Sequence, residues 1–389
     1  MPDGSEASVI RVLGSITEID AAHWDGCAGP DDPFVSHAFL SALEGSGSAN
    51  AGTGWRGQHL VIEGENGDIV AACPLYLKNH SYGEFVFDWG WADAYQRAGG
   101  QYYPKLLAAV PFTPATGRRL LVRPDMAPEQ RRSLQAALLS AMMQLAERLG
   151  VSSVHINFLP EDEWHLAGDV GMLKRQDKQF HWLNDGYETF DDFLDALASR
   201  KRKNIAKERR QVESSGVTIR RLTGADITES HWDTFYGFYH NTSDRKWGEA
   251  YLSREFFSML GERMADRVLL VMAEEDGRAV GGALNMIGNH TLFGRYWGCQ
   301  EHFKFLHFEV CYYQAIEYAI ECGLRRVEAG AQGEHKISRG YLPHPTYSAH
   351  WIANPGFRDA VANFLTHETS AVDDEIAALS GLTPFKRGS

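Results

Sequence analysis

This sequence has little cysteine and no long apolar run, and these two absences narrow the class of protein. Its five cysteines are dispersed and none forms a Cys-x-x-Cys pair, so we expect reduced thiols rather than a disulfide framework. No run approaches the roughly 18 apolar residues of a membrane-spanning helix. The first residues also lack a basic segment followed by an apolar stretch, so we expect no secretory leader and a cytoplasmic protein.

Several catalytic signatures are absent as well. The sequence has no Gly-x-Ser-x-Gly elbow, no Walker loop and no Gly-x-Gly-x-x-Gly fingerprint, which argues against the enzyme classes built on those loops. His302 and His307 lie near Glu309, but a five-residue spacing on a helix turns the two histidines about 140° apart. They therefore share no face, and the sequence predicts no metal site.

The composition is typical of a globular protein with two domains. Of the 389 residues, 44% are hydrophobic and 23% are charged, and this length is enough for two domains of ordinary size. The 51 acidic residues outnumber the 38 basic ones, for a net charge of −13. This balance argues against general coating of nucleic acids, although a local basic patch can still bind a polyanion.

Three sequence blocks recur in the same order, which indicates an internal duplication. The matched blocks are 33–44 with 250–261, 60–90 with 270–298, and 145–161 with 319–334. Within the second pair, Gly67 is matched with Gly277, and the Asn-His dipeptide at 79–80 with the one at 289–290. We therefore expect two copies of one arrangement of helices and strands.

Each copy begins with the same local signals. Ser36 and Ser253 each precede a short segment with helical apolar spacing, so each serine is predicted to cap a helix. Strands follow, and the first pair in each copy is joined by Asn-Gly at 66–67 or by Asp-Gly at 276–277. These dipeptides are the strongest short signal for a β-hairpin.

Each copy then continues with a longer helix and a strand. In the second copy apolar residues recur every three or four positions from about 308 to 322, and Gly323 is placed to end that helix. A strand is predicted at 327–329. Helix, antiparallel strands, helix and strand form an α/β plan that occurs twice, with an insertion at about 91–127 in the first copy.

A basic run, SRKRKNIAKERR at 199–210, stands out in this acidic chain. Thr189 and Asp192 form a capping-box pattern at the start of the helix predicted to carry it. The apolar stripe of that helix comprises Leu194, Leu197, Ile205 and Val212. Acidic residues at its start and basic ones at its end suit the helix dipole. Two interpretations stay open, a solvated helix with complementary charge and a contact with a polyanion.

Six motifs carry a resemblance to a known family. They are RKNIAKERR at 202–210, TSDRKWG at 242–248, GRYWGC at 294–299, HFEVCYYQAIEYAI at 307–320, EAGAQGEHKISRGYLP at 328–343 and TYSAHWI at 346–352. Through them the chain resembles the FemAB-like peptidyltransferases, which duplicate the GNAT N-acetyltransferase fold. Within that family it is similar to the bacterial group described as peptidoglycan biosynthesis or recognition proteins.

The resemblance implies a fold and a division into domains. The expected fold class is α/β, with tandem GNAT-like domains that are each a mixed, mainly antiparallel sheet flanked by helices. The expected bounds are 1–188 for the first domain, 189–216 for a basic helical junction, 217–375 for a second and catalytic domain, and 376–389 for a tail.

The resemblance also implies an activity and a catalytic residue. FemAB-type enzymes move an amino acid from aminoacyl-tRNA onto an amine of a cell-wall precursor, and they have a lysine close after the strand that corresponds to 327–329. Here that residue is Lys336, whose cation would stabilise the oxyanion of the transfer. Arg339 would hold an anionic group of the substrate. The alternative for Lys336 is an exposed lysine in a loop.

Further basic residues are candidates for substrate binding. Arg245, Lys246 and Trp247 are expected in a loop between helices, where two cations and a ring could hold a phosphate and a base or sugar. The alternative is an ordinary loop held by structural salt bridges. Arg295, within a predicted strand, either faces the groove or pairs with an acid in the core. In the basic junction, the expected phosphate contacts of a bound tRNA are Lys203, Arg209 and Arg210.

One feature separates two possible donors. A CoA-dependent enzyme of the GNAT fold needs a Gly-rich loop before its long helix, where backbone N–H groups hold the pyrophosphate. No glycine lies between Cys299 and Tyr313, which favours aminoacyl-tRNA as donor substrate over acyl-CoA, with no bound cofactor. The acceptor is expected to be an amine of a small molecule or peptide. An acyl-CoA-dependent N-acyltransferase and a non-catalytic module that recognises peptidoglycan precursors are the alternatives.

Overall fold

A computed structural model describes residues 9–64, 67–246, 250–301 and 303–386, with the side chains of 243–246 left out. The strands are β1 Val9–Leu13, β2 Trp55–Gly57, β3 His59–Glu63, β4 Ile69–Cys73, β5 Leu75–Lys78, β6 Lys105–Ala108, β7 Leu121–Val122, β8 Ser153–Leu159, β9 Leu173–Leu183, β10 Val217–Leu222, β11 Val268–Glu275, β12 Arg278–Ile287, β13 Thr291–Cys299, β14 Arg326–Glu328 and β15 Leu342–Ile352.

Helices connect these strands. They are α1 Ala21–Ala28, α2 His37–Gly45, α3 Trp89–Arg97, α4 Pro128–Leu149, α5 Glu161–Asp169, α6 Phe190–Ala196, α7 Ser199–Glu213, α8 Glu229–Lys246, α9 Arg254–Met264, α10 Leu306–Phe308, α11 Gln314–Glu321 and α12 Pro355–Ser380. A π-helical turn at Glu309–Tyr313 joins α10 to α11, and a 3₁₀ turn spans Glu334–Arg339. In the part of the chain that the structure describes, no helix is long and apolar enough to cross a membrane.

The chain divides into two compact units. Unit 1 comprises Met1–Asp177 and Thr346–Ser370, and unit 2 comprises Lys178–Pro345 and Ala371–Ser389. The division falls within β9, β15 and α12, so each unit is made from two stretches of chain. The domain boundaries expected from the sequence, at 188/189 and 216/217, both lie inside unit 2.

Unit 1 contains two sheets. The smaller has the strand order β1-β3-β4-β7, and each of its pairs is antiparallel. The larger has the order β15-β8-β6-β5-β2, in which β6 and β8 are parallel and the other pairs antiparallel. Apolar side chains from both sheets pack against α4 and α5 in one core.

Unit 2 is built on one sheet with the order β10-β11-β12-β13-β14-β9. Only β13 and β14 are parallel among these neighbours. The apolar face of α11 packs on the sheet, and the core also takes in α6 and α7. Both units are thus mixed, mainly antiparallel sheets flanked by helices, which confirms the predicted fold class.

Both serine caps and the Asp-Gly hairpin of the duplication are confirmed, whereas Asn66 of the Asn-Gly pair lies outside the described residues. The backbone N–H of Phe39 donates to the Ser36 hydroxyl at 3.2 Å, and Phe256 makes the same bond to Ser253 at 3.3 Å. Asp276 and Gly277 have φ values of 51° and 75° between β11 and β12, which is the positive-φ pair that a tight hairpin with right-handed twist requires.

The helix predicted to carry the basic run is instead two helices, so that prediction is wrong in one respect. The capping box is present, because the Asp192 N–H donates to Thr189 Oγ1 and Asp192 accepts from the Thr189 N–H. However, α6 ends before Leu197, which forms a β-bridge with Phe385, and the Ala198 N–H donates to the Pro384 carbonyl at 2.9 Å. A tertiary contact with the end of the chain therefore breaks the helix.

The extra residues of the first copy also lie elsewhere than expected. β6 pairs antiparallel with β5 and parallel with β8, as β13 does with β12 and β14. The two strands are therefore counterparts. The link before β13 is residues 288–290, whereas the link before β6 is residues 79–104 and includes α3. The link after β6, residues 109–127, is also longer than its counterpart 300–305. The extra residues thus lie in two links, 79–104 and 109–127, and the expected bounds of 91–127 overlap both without matching either.

Two glycine substitutions are expected to change thermal stability in opposite directions. Gly277→Ala places a Cβ at a left-handed position, which costs about 1–2 kcal/mol for a non-glycine residue, so the Tm should fall. Gly237→Ala lies inside α8, where an added Cβ meets nothing within 4 Å, and alanine is favoured there by about 1 kcal/mol. Thermal denaturation of both variants checks this, and an unchanged or higher Tm for Gly277→Ala would contradict the turn assignment.

Candidate active site

A β-bulge shapes the central part of the unit 2 sheet. Leu284 in β12 lies opposite Tyr296 in β13, but the next residue, Asn285, lies opposite Gly294. Arg295 is therefore the extra residue of the bulge. Bulges bend a strand and redirect a side chain, and Arg295 lines a cleft at this point. This observation favours the first of the two interpretations of Arg295, that it faces a groove.

The cleft opens where two parallel strands stop pairing. β13 pairs with β14 only over Thr291–Phe293, and the two strands separate beyond that. The gap forms a cleft of about 120 Å³ that opens to solvent. The residues around it are Ala283, Leu284, Asn285, Gly294, Arg295, Tyr296, Trp297, His307, Cys311, Tyr312 and Ala329.

The π-helical turn forms one wall of this cleft. A π turn inserts one residue into a helix and shifts the faces of the residues around it, and such turns are frequent at functional sites. Here Cys311 and Tyr312 line the cleft. Glu309 and Tyr313, in the same turn, contact side chains of the basic helix α7 instead. The turn therefore faces the cleft with one side and α7 with the other.

Lys336 lies next to the cleft and is only 4% exposed. Its ammonium group donates to the backbone carbonyls of Ala329, at 2.5 Å, and Gly330, at 3.1 Å, and Ala329 is a residue of the cleft wall. No carboxylate pairs with Lys336 among the described residues. The alternative that Lys336 is an exposed loop lysine is therefore wrong. The catalytic role of Lys336 stays a prediction.

The environment of Lys336 changes its protonation. Burial lowers the pKa of its ammonium group to about 8, because the charged form loses solvation. The cation is therefore present at neutral pH and is lost as the pH rises above about 8. Because the Lys336 ammonium contacts only neutral carbonyls, its positive charge is available to an anion of the substrate.

Two histidines stand beside Lys336 and the cleft. His335 Nε2 lies 3.1 Å from the Tyr312 hydroxyl, and burial lowers the pKa of His335, which favours the neutral ring. The His307 ring lies 6.2 Å from that of His335 and 5.4 Å from that of Trp297. Sequence reasoning missed this group, although its one available signal was that His335 is adjacent to Lys336.

Arg339 does not have the role predicted for it. Its guanidinium donates to both carboxylate oxygens of Glu208, at 2.8 and 2.9 Å, and its Nε donates to the Tyr313 hydroxyl at 3.1 Å. It also lies 3.4 Å from the centre of the Phe308 ring. Because an anion of this chain already occupies the guanidinium, we reassign Arg339 from substrate binding to holding α7 against the wall of the cleft.

Arg209 is likewise bound within the chain. It donates to Glu309 at 3.1 Å and to Glu317 at 3.0 Å, and it lies over the Phe190 ring. Its assignment as a phosphate contact is therefore corrected, since its charge is already paired. Arg202 in the same helix pairs with Asp195 at 2.6 Å.

The opposite side of α7 is a row of exposed cations. Their spacing of three and four residues places them on one helix face. The row, which we call the cationic row, comprises Arg200, Lys203, Lys207 and Arg210. Within the described part of the chain, none of the four forms an ion pair. Lys203 and Arg210 were predicted phosphate contacts, and their exposure is compatible with that role.

The remaining predicted residues cannot be placed in the site. Arg245 and Lys246 form the end of α8 rather than a loop, and their side chains lie outside the described residues. Trp247 and His302 also lie outside them.

The comparisons with known proteins agree with the resemblance noted from the motifs. A model of a family named FemAB-like and described as peptidoglycan biosynthesis/recognition matches residues 15–387. The chain belongs to this family. No curated protein sequence is significantly similar to the chain.

Solved structures share the fold of this FemAB-like protein at low sequence identity. FemX is 12% identical with a TM-score of 0.56, covering 91% of this chain and all of its own. The C-terminal domain of a putative lysylphosphatidylglycerol synthetase from Agrobacterium fabrum is 10% identical with a TM-score of 0.55, covering 96% and 100%. L-PGS from Bacillus licheniformis is 11% identical with a TM-score of 0.50, covering 87% and 98%.

Removing the charge of Glu208 is expected to destabilise unit 2. Glu208→Gln leaves the buried Arg339 without its anion, and a hydrogen bond to a charged group contributes about 1.5–3 kcal/mol. Glu213→Gln is the matched control, because Glu213 is exposed on the same helix and should change the stability by less than about 0.5 kcal/mol. Thermal and urea denaturation measure the stability of both variants. Equal stability of the two would show that the Glu208–Arg339 pair does not stabilise unit 2.

Proposed function

We propose that this FemAB-like protein transfers an activated acyl group to an amine, with an aminoacyl-tRNA as donor and an amine of a peptidoglycan precursor or similar peptide as acceptor. The observation that carries the proposal is the position of Lys336. Its ammonium is buried beside the cleft and held by two backbone carbonyls, and no carboxylate of the described residues neutralises it. A fixed cation of this kind stabilises an oxyanion without reorganisation during the reaction.

The reaction needs little more than positioning and this charge. The unprotonated amine attacks the ester carbonyl carbon, so a C–N bond forms and the C–O bond to the tRNA ribose breaks. The proton lost by the nitrogen ends on the ribose oxygen. Lys336 faces the negative charge that develops on the carbonyl oxygen, and His335, whose lowered pKa favours the neutral ring, can accept and pass on the proton.

The start of the long helix supports an aminoacyl donor over acyl-CoA. The segment that enters α10 has no glycine, and Phe305, with φ of 68°, precedes the helix. A pyrophosphate needs close approach of backbone N–H groups at a helix N-terminus, and the bulky side chains at 303–308 obstruct such an approach. Acyl-CoA is therefore kept only as an alternative donor in the test.

The cationic row supports a polyanionic donor. Four exposed positive charges on one face of α7 are more than the helix dipole requires, because its effect is confined to the last turn. The other side of the same helix binds the wall of the cleft through Glu208 and Arg209. A tRNA held along the row would thus be bound to the helix that packs against the site.

Lys336→Met is expected to reduce transfer by at least about 100-fold, as the loss of one oxyanion donor does in other enzymes. The assay mixes the full chain with a pool of aminoacyl-tRNAs, or with acyl-CoA, and with peptide amines, and mass spectrometry detects the added residue. The control is Lys174→Met, an exposed lysine in unit 1. Turnover of Lys336→Met at the wild-type rate would exclude the mechanism, and transfer from acyl-CoA alone would correct the donor.

The pH profile gives a second readout of the same residue. Because the pKa of Lys336 is lowered to about 8, its cation is present below this pH, and the wild-type rate should fall as the pH rises above it. Lys336→Arg keeps its charge at alkaline pH, so its residual activity should lack this fall.

Charge reversal in the cationic row tests the tRNA. Each phosphate contact adds about 0.7–0.9 to the slope of log K against log salt, so Lys203→Glu with Lys207→Glu should weaken tRNA binding and reduce the slope by about 1 to 2. The control reverses two exposed arginines of unit 1, Arg97 and Arg148. Filter binding at several salt concentrations measures both, and an unchanged slope in the first variant would exclude the row as the RNA contact.

A further inference from the structure

One face of the larger sheet in unit 1 is polar although it is buried. Lys78 in β5 lies opposite Lys105 in β6, and His155 in β8 lies opposite His350 in β15. Paired residues of neighbouring strands point to one side of a sheet, and all four side chains are at most 2% exposed. A polar sheet face is normally exposed to solvent. Here the polar face is covered by another part of unit 1.

The cover is the long link between β5 and β6, residues 79–104. Ser81 and Glu84 from this link accept hydrogen bonds from the Lys105 ammonium at 2.8 and 2.7 Å, and Asp88 accepts a third. Tyr102, near the end of the link, donates to Asp88 at 2.6 Å. The corresponding link in unit 2 is residues 288–290 and brings no such groups, so this cluster is particular to unit 1.

The charges of this cluster do not balance. Glu84 and Asp88 face a single cation, Lys105, and each of the three is at most 4% exposed. Burial of an unpaired charge is costly. The neighbouring histidines add no charge, because burial lowers their pKa, that of His155 to about 3. Unless Lys78, on the neighbouring strand, is charged, one positive charge is therefore missing.

Lys78 does not supply that charge at close range. Its ammonium donates to the Tyr82 carbonyl at 3.3 Å and lies 3.6 Å from the centre of the Trp55 ring. Burial lowers its pKa to about 7. Burial also raises the pKa of Glu84 to about 7. Glu84 therefore gains its negative charge over the same range in which Lys78 loses its positive one, and the cluster is short of one positive charge above about pH 7.

Three acceptor atoms of the cluster are also unused. In the described part of the chain, no donor bonds to Glu84 Oε1, Asp88 Oδ1 or Asn157 Oδ1. Asn157 is 1% exposed, and its Nδ2 donates to the Glu84 backbone carbonyl at 3.5 Å, so this side chain lies against the cluster. Unpaired buried acceptors of this kind are rare in proteins and call for an explanation.

We propose that Glu84, Asp88 and Asn157 form a binding site for the primary ammonium group of a small organic amine. An ammonium has three N–H donors for the three unused oxygens, and its single charge balances the cluster. A bound water molecule would satisfy some of the acceptors but not the charge. The site lies in unit 1 and does not depend on the transfer proposed for unit 2.

Exposed aromatic rings on the same link favour an organic amine over an inorganic cation. Tyr82, Phe87 and Trp89 are 58%, 57% and 37% exposed, and the rings of Tyr82 and Trp89 are in edge contact at 4.9 Å. Contiguous exposed rings mark binding surfaces more often than isolated ones. The carbon skeleton of a ligand would contact these rings while its ammonium reaches the acceptors.

Isothermal titration of the full chain with ethanolamine and L-lysine, without any acyl donor, tests the proposal. We expect both to bind, and tetramethylammonium, which has the charge but no N–H donor, to bind at least about 10-fold more weakly. Glu84→Gln keeps the shape and removes the charge, and it should weaken binding of the amines at least about 10-fold. Absence of amine binding to the wild-type chain, or equal binding to Glu84→Gln, would overturn the proposal.

Glu163→Gln is the matched control. Glu163 is as buried as Glu84 and lies in the same unit, but its Oε2 bonds to the backbone N–H groups of Arg119 and Leu120 and not to Lys105. Because it is not part of the Lys105 cluster, amine binding should be unchanged. Asn157→Leu removes one acceptor without changing the charge of the cluster and should weaken amine binding several-fold. This variant also tests the proposal if Glu84→Gln does not fold. Because no donor is present, this result and that of the transfer assay are independent.

Discussion

The early end of the pairing between β13 and β14 is the constraint on which the candidate active site depends. These parallel strands are bonded over only three residues of β13, and the bulge at Arg295 then turns β13 away. Backbone groups freed in this way must find other partners. The carbonyl of Ala329, just after β14, binds the Lys336 ammonium, and that of Gly330 accepts from both the Lys336 ammonium and the Phe180 N–H. One interruption of a sheet thus creates both the cleft and the place where a cation is held beside it.

The basic helix α7 has two sides with different tasks. Glu208 and Arg209 face inward, where each forms ion pairs with residues far away in the sequence. These pairs join the helix to the π turn and to the 3₁₀ turn that carries Lys336. The outward side is the cationic row, whose charges have no partners among the described residues. The basic run therefore contains both cations that are paired within the chain and cations that are exposed. Only the exposed cations are available to bind another molecule.

The two units share one sheet arrangement but differ in the length of the link before β13 and its counterpart β6. In unit 2 the link before β13 is short and an open cleft remains in the sheet. In unit 1 the link before β6 is residues 79–104, and it covers a polar sheet face with carboxylates and rings. The cost of burying Lys105, Glu84 and Asp88 together is offset only in part by their mutual bonds. A duplicated fold thus holds an open cleft in one unit and a covered polar cluster in the other.

The sequence by itself determined the features that depend on neighbouring residues. The caps at Ser36, Ser253 and Thr189, the Asp-Gly hairpin and the position of Lys336 after a strand were readable because each signal lies within a few residues. The duplication and the family were readable because whole blocks of residues recur or match. Only the tertiary structure decided which cations are free. Arg209 and Arg339 find their carboxylates about a hundred residues away, the break at Leu197 depends on Phe385, and the Lys105 cluster needs strand pairing to form. Electrostatic partners are chosen by distance in space, which a linear pattern of residues does not contain.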